Sequence, residues 1–489
     1  MKKLIFIATA IMVMAGCNCR TKYPAFIANH DTAVVPTTAG QVGGYFEDGV
    51  YIFKGLPYAT SQRFMPPTPT EKWEGVRTCF YYGPQAPQTL RSGWKNDTEA
   101  FVYHWDDGTQ DEVCQYLNIW TDGIKDNGKR PVMVWLHGGG FAMGASSELP
   151  MYDGANLAKK GVVLVSINHR LNSLGYLDLS SFGEKYKYSG NLGTLDQIEA
   201  LKWVKENIAA FGGDPNNVTI FGQSGGGGKV NILLDSPMAK GLFHKAIVQS
   251  GSMMGIEDQA TARAFGEEVV RQLGLTAETI DKINEVSYAD IMDATARAQR
   301  VVEGGATPVL DGEVIKYPLF DVRVGEISGN VPVIVGHNVT ENVQFVALAK
   351  FVKSMSMMPG ESLREQCVNQ LTAKYEMGGA PGYLFLFGKK SPVLDGQEAA
   401  GHCQELSYVF DNIYLGRHMT GAEPSAYKLA SKMSDMWVAF ARTGNPSIRK
   451  YKWESFNPQT EPTMYFDDNL RMISKDDAVI KTMFEDPRK

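Results

Sequence analysis

The chain has 489 residues, 44% hydrophobic and 21% charged, a globular profile long enough to bury a large core. That composition excludes a disordered or fibrous protein. Lys+Arg total 48 against Asp+Glu 54, a net charge of −6, and with no basic run the chain is a poor nucleic-acid binder.

The N-terminus reads as a targeting segment. Lys2 and Lys3 precede an uncharged, mostly apolar run from Leu4 to Met14, then Ala15, Gly16 and Cys17. Neither this run nor any other reaches the ~18 apolar residues of a membrane span. Val13-Met14-Ala15-Gly16-Cys17 resembles a bacterial lipobox. That resemblance implies cleavage before Cys17, lipidation of its thiol, and an exported protein held at a membrane of the cell envelope by its acyl chains. The expected organisation is a signal over 1–16, a lipidated tether over 17–40 and one domain over 41–489. The six cysteines are Cys17, Cys19, Cys79, Cys114, Cys367 and Cys403. Export permits disulfides. No CxxC pair occurs, so a zinc site is not expected, and no other metal or cofactor is called for.

After the tether, Gly43 to Ala59 reads as two edge strands joined near Asp48-Gly49. Residues 60–112 lack periodicity and read as a long surface region of the kind that shapes a site. Tyr116 to Trp120 is a short strand. Pro131 to Leu136 and Val162 to Ile167 are nearly continuous apolar runs, suited to strands buried on both faces of a parallel sheet. Thr194 to Phe211 is the clearest helix, with Leu195, Ile198, Leu201, Val204, Ile208 and Phe211 at steps of three or four. Thr194 and Gln197 form a capping-box pattern at its start, and Gly212-Gly213-Asp214-Pro215 ends it. Strands follow at Val218–Phe221, Ala246–Gln249, Val331–Val335 and Gly382–Phe387. Helices are expected to Leu234 and over 259–272, 276–300, 361–377 and 424–442. This alternation predicts an α/β fold with a large, mostly parallel sheet flanked by helices.

Gly222-Gln223-Ser224-Gly225-Gly226 lies between a strand and a helix, where a sharp turn lifts the serine out of the sheet. His137-Gly138-Gly139-Gly140-Phe141 directly follows another strand. In esterases such a loop, with the amide after the serine, donates hydrogen bonds to a tetrahedral oxyanion. The donors here are Gly138, Gly139 and Gly225. Among eight histidines, His402 sits in a small-residue loop downstream of a late strand. The order Ser, acid, His requires an acid between them. Glu341 and Asp311 both qualify, and composition does not choose.

These residues resemble the type-B carboxylesterases, the cholinesterase-like branch of the α/β-hydrolase fold, which carries long insertions around its active site. The likeness runs through nearly the whole mature chain. Phe53-Lys54-Gly55-Leu56-Pro57-Tyr58-Ala59, Cys114-Gln115-Tyr116-Leu117-Asn118, Asn168-His169-Arg170-Leu171, Phe211-Gly212-Gly213-Asp214-Pro215 and Phe440-Ala441-Arg442-Thr443-Gly444-Asn445-Pro446 are similar to its motifs. The resemblance implies Ser224 as nucleophile, His402 as base and Glu341, not Asp311, as the third member, in a two-step acyl-enzyme reaction on a small-molecule ester.

The chain departs from the family in several places. Gln223 stands where glutamate is usual, Gly225 where alanine is usual, and Asn342 where glycine follows the acid. The family's cysteine partner for Cys114 aligns near Ala86 and is missing, which leaves Cys79 as the candidate for a Cys79–Cys114 bond. Phe141, Gln223, Met253 and Trp105 are candidates to line the substrate pocket, Met254 and the methionines of a lid region over 353–358 fit a tolerant apolar pocket, and Trp94 joins Trp105 as a candidate at its entrance. Methionine adapts to varied apolar shapes. Carbohydrate esters carrying acetyl or feruloyl groups are the alternative substrates. The family's non-catalytic adhesion proteins supply an alternative of another class, against which the complete triad argues.

Overall fold

A computed structural model describes residues 25–89, 97–252, 255–341, 360–396 and 400–482. The signal and Cys17, together with Trp94, Met253, Met254, Asn342 and the segment 353–358, lie outside the described residues.

Strands β1 (Phe26–Ile27), β2 (Tyr45–Glu47), β3 (Val50–Pro57), β4 (Tyr116–Thr121), β5 (Arg130–Leu136), β6 (Val163–Ile167), β7 (Gly213–Gln223), β8 (Lys245–Gln249), β9 (Val333–Asn338), β10 (Gly382–Phe387), β11 (Thr463–Phe466) and β12 (Arg471–Ile473) share one sheet. Their order is β1-β2-β3-β4-β6-β5-β7-β8-β9-β10-β11-β12. From β6 to β11 in that order every neighbouring pair is parallel. β4 is antiparallel to both neighbours, and β12 closes the far edge antiparallel to β11. This is the α/β-hydrolase architecture that the alternation and the resemblance predict.

The apolar runs are continuous because both faces of the sheet are covered. In β5, Val132, Val134 and Leu136 enter one core, while Met133 and Trp135 enter the other. The first core is covered by Ile198, Leu201 and Val204 of the helix Leu192–Asn207 and by Val230 and Leu233 of the helix Gly225–Asp235. The second is covered by Met433, Trp437 and Phe440 of the helix Pro424–Thr443. These helices are here called α1, α2 and α3 in chain order.

Several expectations are corrected. The segment expected as tether contributes structure before residue 40: β1 pairs with β2, and Val34–Pro36 joins a small separate sheet with Ala33 and Val35 buried. Burying these apolar side chains favours the folded segment over a solvated linker. Only β1 is an edge strand there, since β3 lies between β2 and β4. Thr194 does not cap α1. The cap position is Asn191, without a side-chain bond, and Thr194 is buried one turn inside. The single helix expected over 276–300 is divided into a 3-10 turn at Ile280–Asn284 and a helix at Tyr288–Ala298 capped by Ser287. Cys79 and Cys114 are both free buried thiols. They belong to different clusters, Cys79 beneath β3 and Cys114 against Ala86 and Leu171, so the candidate disulfide is not formed. Ala86, where the family's partner cysteine aligns, packs in one cluster with Cys114.

Candidate active site

The serine turn is built by backbone proximity. β7 ends at Gln223 and α2 begins at Gly225, with Ser224 between them at φ 56°, ψ −126°. That conformation is strained for a non-glycine residue and is held by the surrounding chain. The Ser224 amide donates to the Gln249 carbonyl at 2.8 Å. A Cβ on Gly226 would lie 2.0 Å from the Leu136 carbonyl oxygen, so only glycine lets α2 start this close to the end of β5. As the first residue of α2, Gly225 has an amide without an acceptor inside its own helix.

The glycine loop after β5 lies alongside. Gly139 and Gly140 both have positive φ, at 84° and 64°. A Cβ on Gly138 would sit 3.6 Å from the Ser224 Cβ, which places the loop beside the nucleophile turn. The glycine loop and the first residue of α2 therefore lie beside Ser224.

The acid and the base meet through paired loops. Thr340 and Gly401 form a parallel bridge, and the Thr340 amide donates to the Ala400 carbonyl at 3.1 Å. This juxtaposition brings the Glu341 carboxylate into a hydrogen bond with Nδ1 of His402. Asp311, the competing acid, instead accepts from the amides of Glu313, Val314 and Ile315 and from Asn191. It organises its own loop.

Glu341 is buried, yet it stays ionisable as an acid. Burial pushes its carboxyl up, but the charge and hydrogen bond of His402, the Asn338 amide and the Ser250 hydroxyl together hold it below the usual range. For His402, burial pulls the ring down. The Glu341 charge, the hydrogen bond to it and Glu405 outweigh that, so the ring is raised above an ordinary histidine.

Among the described hydrogen bonds, Ser224 Oγ makes none to His402. The imidazole Nε2 lies 3.2 Å from Gln223 Nε2, and the Cys403 thiol donates to Gln223 Oε1 at 3.3 Å. The nucleophile and base are neighbours through residue 223, and catalytic hydrogen bonds are often long before substrate binds.

Of the pocket candidates, Gln223 touches the site directly. Trp105 stacks on Tyr103 at 5.0 Å, and the Tyr103 hydroxyl donates to the His402 carbonyl at 3.3 Å. Phe141 is buried in a cluster with Tyr176, Ile232, Val314 and Ile315. Met253 lies outside the described residues.

Four residues the sequence reasoning did not single out support the site. Ser250 and Asn338 both bond the Glu341 carboxylate, and Gln249 with Asn338 bonds Glu405. Burial and the Glu341 charge push the Glu405 carboxyl up to about 7. Glu405 lies three residues past His402 and Gln249 ends a strand, and these positions along the chain are the available signal.

The chain matches the model of the "Carboxylesterase family" over residues 31–377 and 348–481. It is 34% identical to the para-nitrobenzyl esterase of Bacillus subtilis (strain 168), over 89% of this chain and 95% of that one. It is 31% identical to the phenmedipham hydrolase of Pseudarthrobacter oxydans, over 91% of this chain and 97% of that one. The solved structure of an esterase from Clostridium hathewayi, described as able to hydrolyse aliphatic aromatic polyesters, superposes with a TM-score of 0.83 at 32% identity, covering 95% of this chain and 99% of that one.

Proposed function

The chain belongs to the carboxylesterase family and is a carboxylic ester hydrolase, and we propose that its acyl-enzyme cycle runs on Ser224, His402 and Glu341. The observation that carries this assignment is the Glu341–His402 bond standing beside a serine on a strained strand-to-helix turn. Ser224 Oγ attacks the ester carbonyl carbon while His402 Nε2 takes its proton. The carbonyl π bond becomes an oxyanion facing the amides of Gly138, Gly139 and Gly225. Collapse of that intermediate breaks the bond to the alcohol, which leaves with the proton from His402. Water then repeats the sequence on the acyl-serine, releasing the acid and restoring the enzyme. Glu341 fixes the imidazole with Nδ1 protonated and offsets the charge it gains.

Hydrolysis of p-nitrophenyl acetate, butyrate and octanoate by the wild type and by Ser224→Ala tests the assignment. The variant loses on the order of 10⁶-fold in rate. A variant that keeps the wild-type rate overturns it. The three acyl lengths also report how much apolar chain the site accepts.

The lipobox-like Val13 to Cys17 supports export and membrane attachment through a lipidated Cys17. Among the described residues no helix is long and apolar enough to cross a membrane. Cys17→Ser shifts the protein from the membrane to the soluble fraction. An unchanged distribution contradicts the anchor.

A further inference from the structure

Lys229 is a fully buried lysine that the reaction above does not use. It lies on α2, one turn beyond Ser224, and α2 approaches the sheet so closely that its side chain reaches the glycine loop. Its ammonium donates to the His137 carbonyl at 2.9 Å and lies 3.5 Å from the Gly138 carbonyl. His137 Nδ1 stands 2.9 Å from that second carbonyl as well.

The connectivity of the peptide group gives these contacts their meaning. The carbonyl of His137 and the amide of Gly138 are two ends of one planar unit, as are the carbonyl of Gly138 and the amide of Gly139. A cation on the carbonyl oxygen fixes the plane of that unit and withdraws electron density from its nitrogen. The N–H at the far end becomes a better-aimed and stronger donor, since hydrogen bonds linked in a chain polarise one another in a low-dielectric interior.

We propose that Lys229 is a positioning residue of the oxyanion hole, its ammonium orienting and polarising the two peptide groups whose N–H ends face the substrate oxyanion. The inference rests on the reading of Gly138 and Gly139 as oxyanion donors. The electrostatic setting agrees with it. Burial pulls Lys229 down to about 7, opposed by the charge of Glu148. Negative charge developing on the substrate oxygen favours the ammonium form. His169, stacked on His137 at 4.9 Å, is driven well below an ordinary histidine by burial and then by Lys229. Lys229 therefore supplies the cation behind these two peptides.

The test compares the wild type with Lys229→Met on p-nitrophenyl butyrate and on an alkyl trifluoromethyl ketone, which adds reversibly to Ser224 and places an oxyanion in the hole. Removing a whole oxyanion donor costs about 10²–10³ in kcat, so loss of its support is expected to lower kcat by about 10- to 100-fold with KM changed by less than about threefold. The inhibition constant of the ketone rises by the same factor as kcat falls. Binding of the matched methyl ketone, which forms no stable adduct, is unchanged. A kcat within about twofold of wild type overturns the inference, as does a fall in kcat without the matching loss of ketone affinity. Should Lys229→Met fail to fold, Lys229→Gln carries the same readouts with a neutral donor. If the trifluoromethyl ketone binds the wild type no better than the methyl ketone, the oxyanion-hole reading itself fails, which separates the two.

Discussion

Gly225 and Gly140 meet backbone to backbone. A Cβ built on Gly225 would lie 2.3 Å from the Gly140 carbonyl oxygen and 2.4 Å from its Cα and N. The first residue of α2 and the glycine loop are therefore packed more tightly than an alanine at 225 allows. The glycine that stands where the family usually has alanine lets the glycine loop approach the start of α2 this closely.

Gly225→Ala is expected to push the loop away from the nucleophile turn and misplace its amides. Displacing an oxyanion donor lowers kcat by about 10- to 100-fold with little change in KM. Steady-state kinetics on p-nitrophenyl butyrate, normalised to active sites titrated with an organophosphate, checks it. Full activity in the variant would show that the loop relaxes around the methyl group.

The acid limb of kcat/KM is expected above the ordinary histidine range, since His402 must lose its proton to act as base and its folded value is raised. Glu341→Gln removes the charge that opposes burial. The limb then moves to lower pH while kcat falls by about 10³- to 10⁴-fold through loss of ring orientation. A pH–rate profile of both proteins decides it. A limb that stays in place would remove Glu341 as the source of the shift.

Gln223→Glu is expected to move that limb the other way. Gln223 Nε2 lies 3.3 Å from Nδ1 and 3.2 Å from Nε2 of His402, so a carboxylate there favours the imidazolium. The neutral amide keeps the base available at lower pH. The same pH–rate experiment on this variant should show a limb shifted upward, and a downward shift would contradict the geometry.

Cys79 and Cys114 should both alkylate under denaturing conditions without prior reduction, because both are free in the fold. Ala86 packs against Cys114, so Ala86→Cys is expected to create the missing bridge. Closing that loop of about 28 residues contributes roughly 3–4 kcal/mol in the chain-entropy account. Peptide mapping finds the bond, and thermal unfolding with and without reductant measures its effect.

Local sequence rules go a long way in this chain. The run Val132–Leu136 is apolar throughout because both faces of β5 are buried, and the glycines flanking Ser224 are required by contacts with Leu136 and Gly140. The start of α1 departs from the local pattern because Thr194 and Gln197 satisfy a capping box in sequence while packing buries both. The strands before residue 40 leave no periodic signal in the sequence, since each is only two or three residues long.

Choosing Glu341 over Asp311 needed either the family's motif or the fold. Both acids sit in loops, and nothing within a few residues of either distinguishes them. The registers of the parallel strands do. Gln249 stands opposite Gly336 across β8 and β9, and Asn338 opposite Phe387 across β9 and β10. Ser250, Glu341 and the chain after β10 consequently emerge at the carboxyl ends of neighbouring parallel strands, where the bridge between Thr340 and Gly401 completes the contact.

By itself the sequence determined the architecture, the nucleophile turn, the glycine loop and, through its motifs, the family, because each is encoded by residues adjacent along the chain. The tertiary structure decided what depends on distant segments meeting: Ser250 and Asn338 on the Glu341 carboxylate, Lys229 behind the glycine loop, and thiols held apart in separate cores. Those contacts arise from strand register and helix approach, which are properties of the packed sheet rather than of any local run of residues.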